Sequence, residues 1–309
     1  MRSGDLPMIK RTIEISNRPA HLKVRYDQLI VRQEENGEVK ETSIPCEDIG
    51  VLVVDQTETT YTHKALSTLM DSGAAVVLCG QNHLPAGMIL PMTEHSEVVW
   101  RIQEQISIGK PLCKQLWQQL VQAKVSAQAR NLIEGTPEHT KLLRLEKEVR
   151  SGDPSNIEAQ AAKVYWSAWL GEEDSFRRNP RGKDGLNSLL NYGYAIVRAG
   201  IARAIVAAGL LPSIGLHHSH RSNAFCLADD LIEPLRPLVD ERVRELYRNG
   251  TKQIEPAAKK FLLELLTKTV KLDEQKGPLL IAFHRMAASL VNCIEGKEKK
   301  LLIPVAVDE

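Results

Sequence analysis

Aromatic residues and paired cysteines are both scarce in this sequence of 309 residues. Phe, Trp and Tyr together make up 5% of the chain, so a nucleic-acid surface built on stacked aromatic rings is not expected. The five cysteines lie far apart and include no C-x-x-C pair. That spacing excludes a zinc ribbon and argues against the disulfide framework of a secreted protein.

Long hydrophobic runs are missing as well. The most apolar long stretch, residues 195–216, is interrupted by two arginines and a proline, so it could cross a bilayer only at a high cost in free energy. Asp5 lies where a signal peptide would need its apolar core. We therefore expect a soluble protein of the cytoplasm.

Two regions with different hydrophobic periodicity follow each other along the chain. Residues 9–92 contain short runs rich in Val, Ile, Thr and Tyr, with turn signals such as Asn36-Gly37, and predict a small antiparallel sheet with one short helix. Beyond this region the apolar residues recur at helical spacing. The sequence thus predicts an α+β fold, with a β-rich N-terminal domain over residues 1–92 and a larger, all-helical domain over residues 93–309.

The net charge of +1 conceals one strongly basic segment. Residues 177–221 carry seven arginines and lysines against a single acidic residue, Asp184. A segment of this kind can neutralise the phosphates of a nucleic acid. A solvated basic face is the alternative, and the charge count alone does not separate the two.

Histidines and acids cluster around the end of the basic segment. The histidines of GLHHSHR and the acids of LADDLIEP are His217, His218, His220, Asp229, Asp230 and Glu233. On a helix Asp230 and Glu233 share a face, and two carboxylates there repel each other unless a cation lies between them. Pro234 and Pro237 interrupt the helix at the same place, and such violations occur more often at functional sites than elsewhere. A chance cluster of histidines on a polar loop is the alternative.

Glu158 lies near the start of another predicted helix, in the segment DPSNIEAQAAKVYW that begins with Asp153 as its cap. The ordinary role of an acid there is to complement the helix dipole on a solvated face. The alanines that follow it permit the close approach of a second helix, and a carboxylate in such a contact needs a partner. Lys163, Arg150 or a metal ion would serve.

Three segments together resemble the CRISPR-associated protein Cas1, the integrase of spacer acquisition. They are DPSNIEAQAAKVYW, LNSLLNYGYAIVRAGIARAIVAAGLLPSIGLHH and NAFCLADDLIEPLRPLVD, and they are most similar to the variant of the type II systems. The resemblance covers most of the chain and implies a catalytic, metal-binding triad of Glu158, His218 and Glu233. Asp230 is a secondary candidate for the metal, since other branches of the family place an aspartate at the last position. Two further imidazoles lie beside the motif.

The resemblance implies a metal-dependent DNA endonuclease and integrase of antiviral defence, which inserts short DNA spacers into a repeat array. The reaction is a transesterification, in which a DNA 3′-hydroxyl attacks a phosphodiester. Two carboxylates and one imidazole suit Mg²⁺ or Mn²⁺ and leave coordination positions open for substrate oxygens. A stand-alone divalent-metal nuclease for branched DNA and a non-catalytic DNA-bridging scaffold are the alternatives.

With this resemblance, the basic segment is expected to bind the DNA backbone. The expected contacts are Arg177, Arg178, Arg181, Lys183 and Arg221, with Arg198 and Arg203 beside them. The resemblance also implies a homodimer, with dimerisation through the N-terminal domain, and a heterohexamer with the companion protein Cas2. Double-stranded DNA is the expected substrate, and the effector nuclease of type II systems is a further expected partner.

Overall fold

The computed structural model describes residues 10–35, 37–81, 83, 85–92, 96–171, 176–182 and 185–307. Asn36 of the predicted turn, and Lys183 and Asp184 of the basic segment, lie outside the described residues. No helix within the described ranges is both long and apolar enough to cross a membrane.

Strands dominate the N-terminal part, as the sequence predicts. In chain order the elements are β1 (Arg11–Ile15), β2 (Ala20–Arg25), β3 (Gln28–Glu35), β4 (Glu38–Pro45), β5 (Ile49–Val54), β6 (Thr60–Tyr61), α1 (His63–Asp71), β7 (Ala75–Cys79) and β8 (Pro85–Ile89). They form two four-stranded sheets, with the strand orders β1-β5-β7-β8 and β4-β3-β2-β6. In the second sheet, β3 and β4 pair antiparallel across Gly37, whose φ of 80° is the positive angle that the predicted turn requires.

The predicted antiparallel arrangement is wrong for the first sheet. Its strands β1, β5 and β7 are parallel, and β8 runs antiparallel to β7. Parallel neighbours need a crossover connection, which α1 supplies between β5 and β7. Strand β5, with the sequence IGVLVV, is buried along its whole length. A continuous apolar run of this kind is typical of a strand that is covered on both faces, so the signal for parallel pairing is present in the sequence.

Helices make up most of the C-terminal part. They are α2 (Val98–Ser107), α3 (Lys110–Arg130), α4 (Pro137–Glu148), α5 (Ile157–Ala168), α6 (Gly185–Ala207), α7 (Cys226–Ile232), α8 (Arg236–Arg248), α9 (Pro256–Leu263) and α10 (Leu279–Ile294). A β-rich N-terminal region followed by a helical region, the predicted mixed α+β class, is thereby confirmed.

A small antiparallel sheet lies among these helices, so the prediction of an all-helical region is wrong in this segment. Its strands are β9 (Thr269–Leu272), β10 (Gln275–Pro278) and β11 (Val305–Ala306), in the order β10-β9-β11. Val270 and Leu272 of β9 are buried and Lys271 between them is exposed, which is the alternation of a half-buried strand.

The first N-terminal sheet contributes to two hydrophobic cores. Alternate residues of β5 point to opposite faces of the sheet. Leu52 and Val54 belong to a core within the N-terminal part, whereas Val51 and Val53 pack with the helices. The sheet therefore supports the helices that carry the candidate site. The predicted domain boundary at residue 92 stays a prediction.

Candidate active site

Glu158 projects from the first turn of α5, which Asp153 and Asn156 fix in place. The Asp153 carboxylate accepts hydrogen bonds from the backbone N–H groups of Ile157 and Glu158, at 2.8 and 2.9 Å. The Asn156 side chain accepts another from Ala159 at 3.4 Å. Asp153 thus satisfies free N–H groups of the helix as predicted, but the helix begins at Ile157 and its N-cap is Asn156.

Glu233 lies at the break between α7 and α8. A single 3₁₀ turn, residues 233–235, separates the two helices. Pro234 occupies the first turn of this 3₁₀ segment and Pro237 the first turn of α8, where a missing N–H leaves no helical hydrogen bond unmade. The predicted interruption is therefore confirmed, and it leaves the Glu233 side chain 6% exposed at the junction.

Lys124 of α3 brings these two distant glutamates together. Its Nζ lies 2.6 Å from Glu158 Oε1 and 2.5 Å from Glu233 Oε2, and its side chain is 10% exposed. Burial alone would lower the pKa of Lys124, but the carboxylates of Glu233 and Glu158 outweigh it and raise the pKa, so the side chain is an ammonium ion. Two of the three suggested partners of Glu158, Lys163 and Arg150, are exposed, and Lys124 pairs with this carboxylate instead. The third, a metal ion, stays a prediction.

A signal for Lys124 was present in the sequence but was missed. On α3 it lies four residues after Leu120 and four before Gln128, and all three residues are buried. Residues four apart share one face of a helix. A lysine and a glutamine in line with leucine on a buried face are unusual, because such polar groups need partners.

Arg236 completes a chain of alternating charges at Glu233. Its Nε donates a hydrogen bond to Glu233 Oε1 at 2.9 Å. Burial would raise the pKa of Glu233, yet Arg236 and Lys124 outweigh it and lower the pKa to about 2. The carboxylate is thus ionised at neutral pH. Together with Glu158 the four side chains carry two negative and two positive charges, which balance.

Asp230 is engaged by the loop that carries the histidines. Its carboxylate accepts hydrogen bonds from the N–H groups of Leu216, His217 and His218, at 2.6, 3.0 and 3.1 Å. The loop approaches closely because residue 215 is glycine: a Cβ there would lie 2.4 Å from the His218 carbonyl oxygen. Asp230 and Glu233, which were expected to need a cation between them, therefore have different partners.

The His218 imidazole is oriented by the same aspartate. Its Nδ1 lies 2.6 Å from Asp230 Oδ1. This hydrogen bond raises the pKa of His218, and burial opposes the rise. A carboxylate at Nδ1 fixes the ring and directs Nε2 to the other side, which is the usual arrangement of a metal-binding histidine. The geometry therefore favours Asp230 as the residue that orients His218.

The three neighbouring histidines have different surroundings. Trp117 stacks on His217, with ring centroids 4.2 Å apart, and meets His218 edge-on at 5.7 Å. His220 is exposed, and its Nδ1 lies 3.0 Å from the Ser222 hydroxyl. His218 lines a cavity of about 420 Å³ that reaches Arg236. Of the three rings, His218 is thus the one that faces the charged network.

A second cavity, of about 240 Å³, lies on the side of Lys124 and Glu233. Both cavities are bordered by Arg178, Tyr194 and Arg236. His218 and Glu233 therefore face adjoining spaces with a common wall of two guanidinium groups and a phenol ring.

The predicted ligands, two carboxylates and one imidazole, are of the types that suit a divalent ion, but their side chains do not surround a single point. Within the described part of the chain, no three His, Cys, Asp or Glu side chains lie close enough together to hold a metal ion. The carboxylates of Glu158 and Glu233 do converge, and the Lys124 ammonium stands between them as a cation. Carboxylate oxygens with one imidazole suit Mg²⁺ or Mn²⁺. Two of the three predicted ligands are thus brought together, and His218 lies in the adjoining cavity.

Arg178 is held in position beside these cavities. Its guanidinium donates hydrogen bonds to Asn187 Oδ1 at 3.0 Å and to Asn191 Oδ1 at 2.7 Å, and it lies over the Tyr194 ring. Among the other residues expected to contact DNA, Arg177, Arg181 and Arg221 are exposed. Lys183 is outside the described residues.

Two arginines of the basic segment have structural partners instead. Arg198 Nε lies 2.7 Å from Asp229 Oδ1, so its charge is largely neutralised. Arg203 is 6% exposed and donates a hydrogen bond to the Gly73 carbonyl oxygen. The expectation that Arg203 contacts phosphate is therefore wrong, since DNA cannot reach it.

Comparisons with known proteins cover almost the whole chain. Residues 13–269 match the family model described as CRISPR associated protein Cas1. A CRISPR-associated endonuclease Cas1 of Neisseria meningitidis serogroup C is 38% identical over 299 residues, which span 96% of this chain and 95% of the relative.

Two solved structures share the fold. A casposase bound to integration product has a TM-score of 0.78 at 18% identity, covering 94% of this chain and 92% of the casposase chain. A Cas6-RT-Cas1–Cas2 complex has a TM-score of 0.77 at 16% identity, covering 100% of this chain and 37% of the larger one.

Proposed function

Because this chain belongs to the Cas1 family, we propose that it is a metal-dependent DNA endonuclease and integrase of CRISPR adaptation. It inserts short DNA spacers into a repeat array. The observation that carries this proposal is the convergence of Glu158 and Glu233, from two distant segments, on the Lys124 ammonium. Arg178 and Arg236 border the cavity beside it.

The proposed reaction exchanges one phosphodiester bond for another. A DNA 3′-hydroxyl loses its proton and forms a bond to a target phosphorus. The bond from that phosphorus to the target 3′-oxygen breaks, and the released oxygen takes up a proton to become a new 3′-hydroxyl. A divalent ion held by Glu158, Glu233 and His218 would polarise the phosphoryl oxygen and favour ionisation of the hydroxyl. Arg178 and Arg236 border the same space and place positive charge where the transition state gathers negative charge. With water as the attacking group, the same site hydrolyses DNA.

The partners of this chain follow from the same proposal. We infer that it acts as a homodimer on double-stranded DNA and forms a heterohexamer with Cas2, together with the effector nuclease if the system is of type II. A Cas6-RT-Cas1–Cas2 complex and a casposase bound to integration product share its fold, which supports Cas2 and DNA as partners.

A strand-joining assay tests the proposed function. The protein is incubated with Cas2, labelled pre-spacer DNA, a supercoiled target that carries the repeat, and Mn²⁺. Joined products are expected. Cleavage without joining would favour the stand-alone nuclease instead. Spacer acquisition in cells that survives alanine at His218 would favour the non-catalytic scaffold.

Asp230→Asn is expected to reduce the joining rate roughly 10- to 100-fold, because the residue orients the His218 ring. The amide cannot accept all the hydrogen bonds that the carboxylate accepts from the loop. The rate is measured at saturating Mn²⁺. Asp229→Asn is the matched control, since the adjacent residue pairs with Arg198 instead. Equal rates for the two variants would contradict the orienting role.

Arg178→Gln and Arg221→Gln are each expected to lower the salt dependence of DNA binding, with the slope of log K against log salt falling by about 1 per lost phosphate contact. Binding is measured by fluorescence anisotropy between low and moderate salt. Arg18→Gln is the control, because Glu35 already neutralises Arg18 at 2.7 Å. Unchanged slopes in the first two variants would remove these residues from the DNA surface.

A further inference from the structure

Lys124 fills the position that a metal ion shared by Glu158 and Glu233 would take. Its ammonium lies 2.6 Å from Glu158 Oε1 and 2.5 Å from Glu233 Oε2, between the two carboxylates. A Mg²⁺-type ion binds carboxylate oxygens at about 2.1 Å. The two cations would overlap, so the ion can enter only when the ammonium moves away.

The charge balance leads to the same requirement. Glu158, Lys124, Glu233 and Arg236 form a largely buried chain with two negative and two positive charges. Adding a divalent ion while Lys124 stays in place would leave an excess of two positive charges at short range. Buried charge without compensation is strongly unfavourable. Lys124 and the metal ion therefore exclude each other.

The structure also offers a second place for the ammonium. Gln128 lies one turn further along α3 and lines the same cavity of about 240 Å³ as Lys124. Within the described residues, Gln128 Oε1 is buried and has no hydrogen-bond partner. A buried acceptor of this kind is rare and needs an explanation. Asp240 also lines this cavity.

We propose that Lys124 is a built-in cation that holds the two glutamates together in the metal-free protein and moves toward Gln128 when a divalent ion binds. Lys124 is thus a positioning residue that competes with the metal and sets its affinity. The inference rests on the proposed function, because it takes Glu158 and Glu233 as metal ligands.

Mn²⁺ binding by the full-length protein, measured by isothermal titration calorimetry without DNA, tests this inference. Lys124→Met keeps the length of the side chain and removes the competing charge, so it is expected to bind Mn²⁺ at least about tenfold more tightly than wild type. Lys124→Arg keeps the charge and is expected to bind no more tightly than wild type. Lys163→Met, an exposed change on α5, is the matched control and is expected to leave affinity unchanged.

If Lys124→Met does not fold, a second variant tests the same inference. Gln128→Leu removes the acceptor for the displaced ammonium but leaves the ion pairs of Lys124 intact, so it is expected to weaken Mn²⁺ binding several-fold. Thermal unfolding with and without Mn²⁺ provides an independent readout, in which Lys124→Met is expected to gain more from the ion than wild type does.

The outcomes separate this inference from the proposed function. Tighter binding by Lys124→Met, or weaker binding by Gln128→Leu, supports displacement. Unchanged affinity in these variants, with binding in wild type that Glu158→Gln abolishes, overturns displacement and keeps the metal site. Absence of Mn²⁺ binding in wild type and Lys124→Met alike overturns both.

Discussion

Replacing Glu158 by glutamine is expected to slow strand joining about a thousand-fold, because the metal ion loses a charged ligand. A loss of this size corresponds to about 4 kcal/mol of transition-state stabilisation. The glutamine oxygen can still accept a hydrogen bond from Lys124, and Asp153 still caps the helix, so the variant is expected to stay folded. Single-turnover joining of labelled DNA in Mn²⁺ gives the rate.

Glu138→Gln is the matched control for this substitution. Glu138 lies in the first turn of α4 as Glu158 lies in the first turn of α5, so both changes remove an acid that complements a helix dipole. The control is expected to join DNA at nearly the wild-type rate. If folded Glu158→Gln also keeps a rate close to that of wild type, Glu158 is not a metal ligand and the proposed chemistry is wrong.

Replacing Lys259 by methionine is expected to lower the free energy of unfolding by about 3–5 kcal/mol, since a buried carboxylate is left without its cation. Lys259 of α9 forms an ion pair with Asp55, which directly follows β5, and the two side chains are 3% and 1% exposed. His83 Nδ1 lies 3.1 Å from the same carboxylate, but its side chain is 55% exposed, so it compensates only in part. The pair joins the N-terminal sheet to the helices.

Equilibrium unfolding in urea measures this loss. Lys260→Met is the control, because the next residue of α9 is exposed and its replacement is expected to change the free energy of unfolding by less than about 0.5 kcal/mol. Adding Asp55→Asn to Lys259→Met is expected to restore part of the stability, since it removes the uncompensated charge. Equal stability of the two single variants would show that the ion pair contributes little.

The sequence predicts the parts of the site that depend on local signals. Asp153 accepts hydrogen bonds from the first N–H groups of the helix that carries Glu158, although that helix begins four residues later at Ile157, and Pro234 and Pro237 locate the break at Glu233. Both signals act within a few residues, so no knowledge of the distant packing is needed to interpret them. The mixed α+β class follows from periodicity in the same way.

The features that the sequence does not predict depend on long-range packing. The spacing of Lys124 from Leu120 indicates a lysine on a buried helix face, but its partners Glu158 and Glu233 become apparent only when α5 and the turn after α7 pack against α3. Arg203 counts as positive charge in the sequence, but its partners come from Gly73 and His284, in segments far along the chain. The pairing of β11 with β9 likewise depends on how the C-terminal segment folds back.

The proposed function depends on one divalent ion bound jointly by Glu158, His218 and Glu233. A crystal structure of the protein in Mn²⁺, with anomalous scattering to locate manganese, measures this directly. We expect a single strong peak about 2.0–2.3 Å from an oxygen of each glutamate and from His218 Nε2, with the Lys124 ammonium displaced. A map at saturating Mn²⁺ in which no peak touches these side chains, and Lys124 still lies between the glutamates, would contradict it.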